Sequence, residues 1–203
     1  MANLASLQLH RSNPFATRHT RPGAVPPLDQ AGDLLDVEAV LVALERHRLV
    51  AIVGPHGTGK STLLAALAAR LGAERRPAEV LRLRRWQDGL QLVAAFQRAA
   101  ADSTLLVDGW ERLGRPWSAV AMAWARLRGW RMVVTSHRST GLPIAVRTAG
   151  TLPLLTAIVA RLPAHDGRIT GADLADAFTR HGGNLRDALG DLYDRYESRS
   201  RRS

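Results

Sequence analysis

Short apolar runs alternate along this chain with longer amphipathic stretches. Leu49-Val50-Ala51-Ile52-Val53 is an unbroken apolar run that stops at Gly54, the pattern of a strand buried on both faces. Ahead of it, Leu35, Val40, Leu41, Leu44 and Leu49 recur near the 3.6-residue period and predict a helix over 36–46. Behind it, Ser61 to Leu71 is rich in Leu and Ala and predicts a second helix. Val80 to Arg84 alternates apolar and basic residues, as a strand does, and 88–100 reads as an amphipathic helix. Thr104 to Val107 is another short apolar strand, 118–127 an alanine-rich helix, and 131–135 the strand after it. A last strand is expected at Ile144 to Arg147. Beyond 151 the strand pattern stops, and 152–161, 170–180 and 184–196 read as three helices.

Strands separated by helices of about ten to fifteen residues require crossover connections. The expected class is therefore α/β: a mainly parallel sheet sandwiched by helices, with a small C-terminal helical lid. The expected division is an extended arm over 1–34, marked by Pro14, Pro22, Pro26 and Pro27, then a core over 35–150. A helical lid over 151–197 and a disordered basic tail over 198–203, with Arg199, Arg201 and Arg202, complete it. No internal repeat or heptad run is present.

Composition narrows the function classes. Apolar residues at 46% of 203 are enough for a packed core. The absence of Cys excludes disulfide frameworks, zinc-thiolate sites and cysteine nucleophiles. The seven His are scattered without metal-ligand spacing. No apolar run reaches the roughly 18–20 residues of a membrane span. Asn3, Gln8, His10 and Arg11 interrupt the stretch where a signal peptide would be apolar, so a cytoplasmic protein is expected. The net charge of +10 is unevenly spread, with fifteen basic against six acidic residues in 51–150. That region is either a solvated basic face or a surface for a nucleic-acid or protein partner. Trp86, Trp110, Trp117, Trp124 and Trp130 are expected to serve packing rather than base stacking.

The chemistry begins at Gly54-Pro55-His56-Gly57-Thr58-Gly59-Lys60-Ser61, which fits the phosphate-loop pattern G-x-x-x-x-G-K-[ST] and is followed by Thr62. Glycines let the backbone N–H groups wrap an anion, and the helix that follows adds the positive end of its dipole. Lys60 would reach the β- and γ-phosphates of ATP, and the Ser61 hydroxyl would ligate Mg²⁺. Lys60 is the chain's only lysine, which argues against coincidence. His56 is expected to face solvent.

Such a loop needs an acid at the end of a neighbouring strand. Thr104-Leu105-Leu106-Val107-Asp108 supplies it, with Asp108 holding Mg²⁺ through water. The group that aligns the attacking water is less determined. Glu111 stands three positions on, either as that group or as an exposed loop glutamate. Thr135, Ser136 and His137 end the next strand and are candidates for contacting the γ-phosphate, Ser136 as a catalytic candidate; a solvated strand terminus is the equal alternative.

These motifs resemble the AAA+ and ExeA-like bacterial ATPases, and more loosely the STAND group. The resemblance implies that Asn13-Pro14-Phe15 belongs to an adenine-binding arm. It also implies that Gly183-Asn184-Leu185-Arg186 is a sensor motif of the lid, with Arg186 reading the nucleotide. The chain departs from the pattern at Asp108-Gly109, where Asp-Glu is usual, and no arginine finger can be assigned among Arg126, Arg128, Arg138 and Arg147. ABC ATPases fit poorly, because the 48 residues from Lys60 to Asp108 leave no room for their inserted helical subdomain. The expected function is an ATP-binding protein that acts as a Mg²⁺-dependent ATPase or nucleotide-gated switch, with an oligomer allowed. A small-molecule or nucleoside kinase, and a nucleic-acid-binding module ordered by nucleotide, are the alternatives.

Overall fold

Leu49–Val53 forms β1, and all of its residues are buried, as a continuous apolar run requires. In this computed structural model, which describes residues 13–98, 103–164 and 166–201, β1 lies inside a five-stranded, all-parallel sheet of order β2-β3-β4-β1-β5. The other strands are β2 (Ala78–Arg82), β3 (Thr104–Asp108), β4 (Arg131–Ser136) and β5 (Ile144–Arg147). The expectations resting on Asn3, Gln8, His10, Arg11 and Arg202, and on the side chain of Trp86, fall outside the described residues.

Two compact units emerge. The first comprises 36–54 and 63–148 and holds the sheet. Alternate residues of each strand face opposite ways, so Leu49, Ala51, Val53, Leu105, Val107, Met132 and Val134 share one face. They form one apolar core with Leu92 and Phe96 of α3 (Gly89–Arg98) and Ala121 and Ala125 of α4 (Gly114–Leu127). Phe96 stacks on Trp130 at 4.5 Å and meets Trp124 edge-on at 5.6 Å. The opposite face carries α1 (Glu38–His47), whose Val40, Leu41 and Leu44 are buried. The helix α2 (Lys60–Ala73) buries Leu63, Leu64, Leu67 and Leu71. An ion pair at 3.6 Å between Arg70 and Glu38 ties α2 to α1.

The second unit gathers the N-terminal stretch to Leu35, the loop Pro55–Thr62 and the chain from Ala149 onward. Three helices, α5 (Leu152–Val159), α6 (Gly171–Arg180) and α7 (Leu185–Ser200), bury Leu155, Ala177, Ala188 and Leu192 together with Phe15. Thr170 and Asp173 form a reciprocal capping box that starts α6. Asp173 also receives both terminal nitrogens of Arg199, each at 2.7 Å.

Several boundaries move from the sequence expectation, each for a local reason. The helix expected at 118 starts at Gly114, because Pro116 is tolerated in a first turn where no N–H partner is needed. The final helix continues to Ser200 instead of ending at Tyr196, since Arg199 is bonded to Asp173 and to the Arg168 carbonyl. Arg199 therefore does not belong to a disordered tail. The arm is not wholly irregular, having a helical turn at Thr17–Thr20. Trp110 and Trp130 are buried as expected, whereas Trp117 is 45% exposed.

Candidate functional site

In the sheet unit, the carboxyl ends of β1, β3 and β4 bring the predicted polar residues to one edge. Val53 of β1 is in register with Ser136 of β4, and Gly54 N donates to the Ser136 carbonyl at 3.1 Å. Ser136 is buried, and its hydroxyl accepts from Arg138 N at 3.2 Å. One strand over, Asp108 ends β3. The Thr135 hydroxyl donates to Asp108 Oδ1 at 2.6 Å while accepting from Gly109 N at 3.0 Å. That pair of bonds fixes the orientation of the carboxylate, so Thr135 positions Asp108.

The residue after Asp108 cannot be a glutamate here. Gly109 has φ +87°, and a Cβ on it would lie 2.6 Å from the Leu83 carbonyl oxygen. The next acidic residue is Glu111, in the 3₁₀ turn Trp110–Leu113 that Gly109 opens. Glu111 Oε1 stands 3.1 Å from His137 Nε2, and His137 Nδ1 stands 3.2 Å from the Gly54 carbonyl oxygen. A carbonyl oxygen only accepts, so the Gly54 contact is a hydrogen bond in the tautomer that carries its proton on Nδ1. Glu111 Oε2 is buried with no hydrogen-bond partner among the described residues. A buried carboxylate oxygen left unsatisfied costs about 1–3 kcal/mol.

In the helical unit, the loop and the lid meet. Gly57 has φ +72°, and a Cβ there would fall 1.8 Å from Asn184 Oδ1 and 3.1 Å from Arg186 N. Asn184 is the N-cap of α7, accepting from Arg186 N and Asp187 N. The loop's second glycine therefore lies directly against the first turn of the lid helix. Gly59 also has positive φ, at +88°. Thr58 is buried and donates to the Pro55 carbonyl at 2.9 Å; the Lys60 ammonium, 7% exposed, donates to the same oxygen. Pro55 and His56 are exposed, and Ser61 and Thr62 half-buried. Positive-φ glycines at the start of a helix and a nearly buried ammonium fit a phosphate, and a serine hydroxyl fits a hard cation.

Asn13 and Phe15 take a structural place within this unit. Asn13 is wholly buried, donating from Nδ2 to the Tyr193 carbonyl at 3.2 Å and to Glu197 Oε1 at 2.9 Å. Phe15 lies in the helical core, 6.2 Å from the Tyr196 ring. Asn13-Pro14-Phe15 thus anchors the arm to α7. Sequence reasoning missed the pairing of Glu111 with His137 and the apposition of Asn184 and Gly57. Neither has a local sequence signal, because each joins segments far apart in the chain.

No protein-family model and no curated protein matches the chain. Solved structures do. A replication initiator DnaA bound to AMPPCP and single-stranded DNA is 16% identical with TM-score 0.54, over 76% of this chain and 58% of that one. AMPPCP-bound DnaA from Aquifex aeolicus is 15% identical with TM-score 0.54, over 81% of this chain and 64% of that one. A point mutant of RuvB from Thermotoga maritima is 19% identical with TM-score 0.52, over 75% of this chain and 58% of that one. The chain thus spans about three-fifths of the length of these structures. It shares the α/β fold of these structures. Among the described residues, no helix is long and apolar enough to cross a membrane.

Proposed function

We propose that this chain binds Mg-ATP and hydrolyses it slowly, with the state of the nucleotide read by the helical lid. The observation that carries this reading is the apposition of Gly57 to Asn184 and Arg186, which puts a phosphate-type loop and the lid helix in contact. Similarity in fold to DnaA structures bound to AMPPCP supports the choice of ATP.

The roles follow from chemistry. Lys60, with the N–H groups of Gly57, Gly59 and the start of α2, neutralises phosphate charge. Ser61 and, through water, Asp108 would hold Mg²⁺, which supplies Lewis-acid neutralisation of the phosphates. Thr135 keeps the Asp108 carboxylate in place. The orphaned Oε2 of Glu111 takes the proton of the attacking water, and His137 fixes the orientation of the other oxygen. Arg186 senses the terminal phosphate from the lid. Asn13, Pro14 and Phe15 hold the arm in place and would bound the adenine side. Ser136 stays a candidate for contacting the γ-phosphate.

Paired variants test the reading. Lys60→Ala is expected to weaken ATP binding by at least about 100-fold in calorimetry while the circular dichroism spectrum is kept. Glu111→Gln is expected to keep ATP affinity and lower turnover by about 100-fold. Unchanged affinity in the first variant would remove the nucleotide site; unchanged turnover in the second would remove Glu111 from the reaction.

A further inference from the structure

Between Glu111 and Asp166 the chain has no Asp or Glu. In the sheet unit that stretch carries Arg112, Arg115, Arg126, Arg128, Arg131, Arg138 and Arg147, and none of these side chains makes an ion pair among the described residues. Within the helical unit, Arg180, Arg195 and Arg199 are each paired with an aspartate. Arginine is therefore not left unpaired everywhere in this protein. The unpaired set is concentrated on and around α4.

The helix α4 also exposes apolar side chains. Trp117 is 45% exposed, Val120 57% and Leu127 84%, and Trp124 is only partly covered by Phe96. Their 3-4-3 spacing puts all four on one stripe of the helix. Ala121 and Ala125, next to the stripe's Trp124 edge, face the core, and Trp124 packs partly against it. Arg115 and Arg126, both exposed, lie on one side of the stripe, about 100° round the helix from it beyond Ala119 and Ala123, and Arg128 follows the last turn. α4 itself contains no acidic residue. Contiguous exposed apolar surface rimmed by polar groups marks interaction sites on soluble proteins.

We infer that the exposed face of α4 docks an amphipathic helix of a partner protein whose apolar seam is flanked by Asp and Glu. Charge selects this occupant. A second copy packed α4 on α4 about a twofold axis would set arginine against arginine. A nucleic-acid backbone would use the arginines but leave Val120, Trp124 and Leu127 without function. A partner helix of about four turns matches the length of α4 and satisfies both the stripe and its rim. This inference does not rest on the nucleotide reading, since no residue is shared with it.

The test uses the full chain and three probes: a synthetic amphipathic peptide with leucine heptads flanked by Glu, its Lys-flanked counterpart, and single-stranded DNA. Tryptophan fluorescence and peptide anisotropy are expected to show micromolar binding of the Glu peptide, at least about 30-fold tighter than the Lys peptide. Val120→Glu with Leu127→Glu, and separately Arg115→Glu with Arg126→Glu, are each expected to weaken it at least about tenfold. These positions are exposed, so circular dichroism and ATP binding should be unchanged. Equal binding of both peptides, or insensitivity to either double variant, overturns the proposal. So does DNA binding that the arginine variant abolishes and the apolar variant spares. Self-association that Val120→Glu with Leu127→Glu dissolves would make a second copy the occupant and overturn it as well.

Discussion

Arg186 occupies the first turn of α7, where the helix dipole disfavours a cation. The nearby carboxylates are committed elsewhere. Asp187 accepts from Asn184 Nδ2 at 2.6 Å, and Asp191 is held by Arg195, Arg180 and His181. The guanidinium is exposed and has no partner among the described residues, while its backbone N lies against Gly57. A contact with phosphate would account for a cation in this position. Arg186→Ala is expected to weaken ATP binding about tenfold and AMP binding much less, measured by calorimetry. Equal losses for both nucleotides would return Arg186 to a surface role. The sequence made Arg186 visible through its position after a good N-cap. It could not show that a side chain is excluded right after Asp108, because that depends on the Leu83 carbonyl beside Gly109.

Among the elements, α6 and α7 are joined by an ionic clip that strand and helix periodicity do not reveal. The guanidinium of Arg199 holds the Asp173 carboxyl well below the usual carboxylate range, helped by the Thr170 amide and hydroxyl and opposed by burial. A carboxyl with a depressed native pKa stabilises the fold fully above its unfolded value, near 3.8, and that contribution fades as pH falls through and below it. Asp173→Asn is expected to lower stability at pH 7 by about 2 kcal/mol. The same variant should lose less stability than wild type between pH 6 and pH 3, followed by urea titration. Identical pH slopes would show that Asp173 is not the responsible group. β1 and β5 were legible to the residue because their signal is local apolar content bounded by Gly54 or by the chain's turn. The end of α7 was not, since it depends on Asp173, a partner from another helix.

For the whole molecule, two separate apolar cores imply two places where ligand energy can enter the stability. Residues Pro55–Thr62 group with the arm and the C-terminal helices, not with the sheet. Mg-ATP at about 100 times its dissociation constant should add about 2.7 kcal/mol. Scanning calorimetry should place that gain on the transition that includes the helical core. Lys60→Ala should abolish the shift, and an equal shift in both proteins would locate the nucleotide elsewhere. The α/β class was legible from the alternation of strands and helices; the grouping of the loop with the lid was not, because it depends on Asn184 meeting Gly57 across a long stretch of chain. Lys60 is the only lysine in the chain and is nearly buried. These 203 residues therefore carry a single ε-amine. Acetyl, succinyl or ubiquityl groups attached to a lysine of this chain can sit only in the phosphate loop. Any such acylation would act on the nucleotide site itself, and amine-reactive mass labels become a direct footprint of its occupancy.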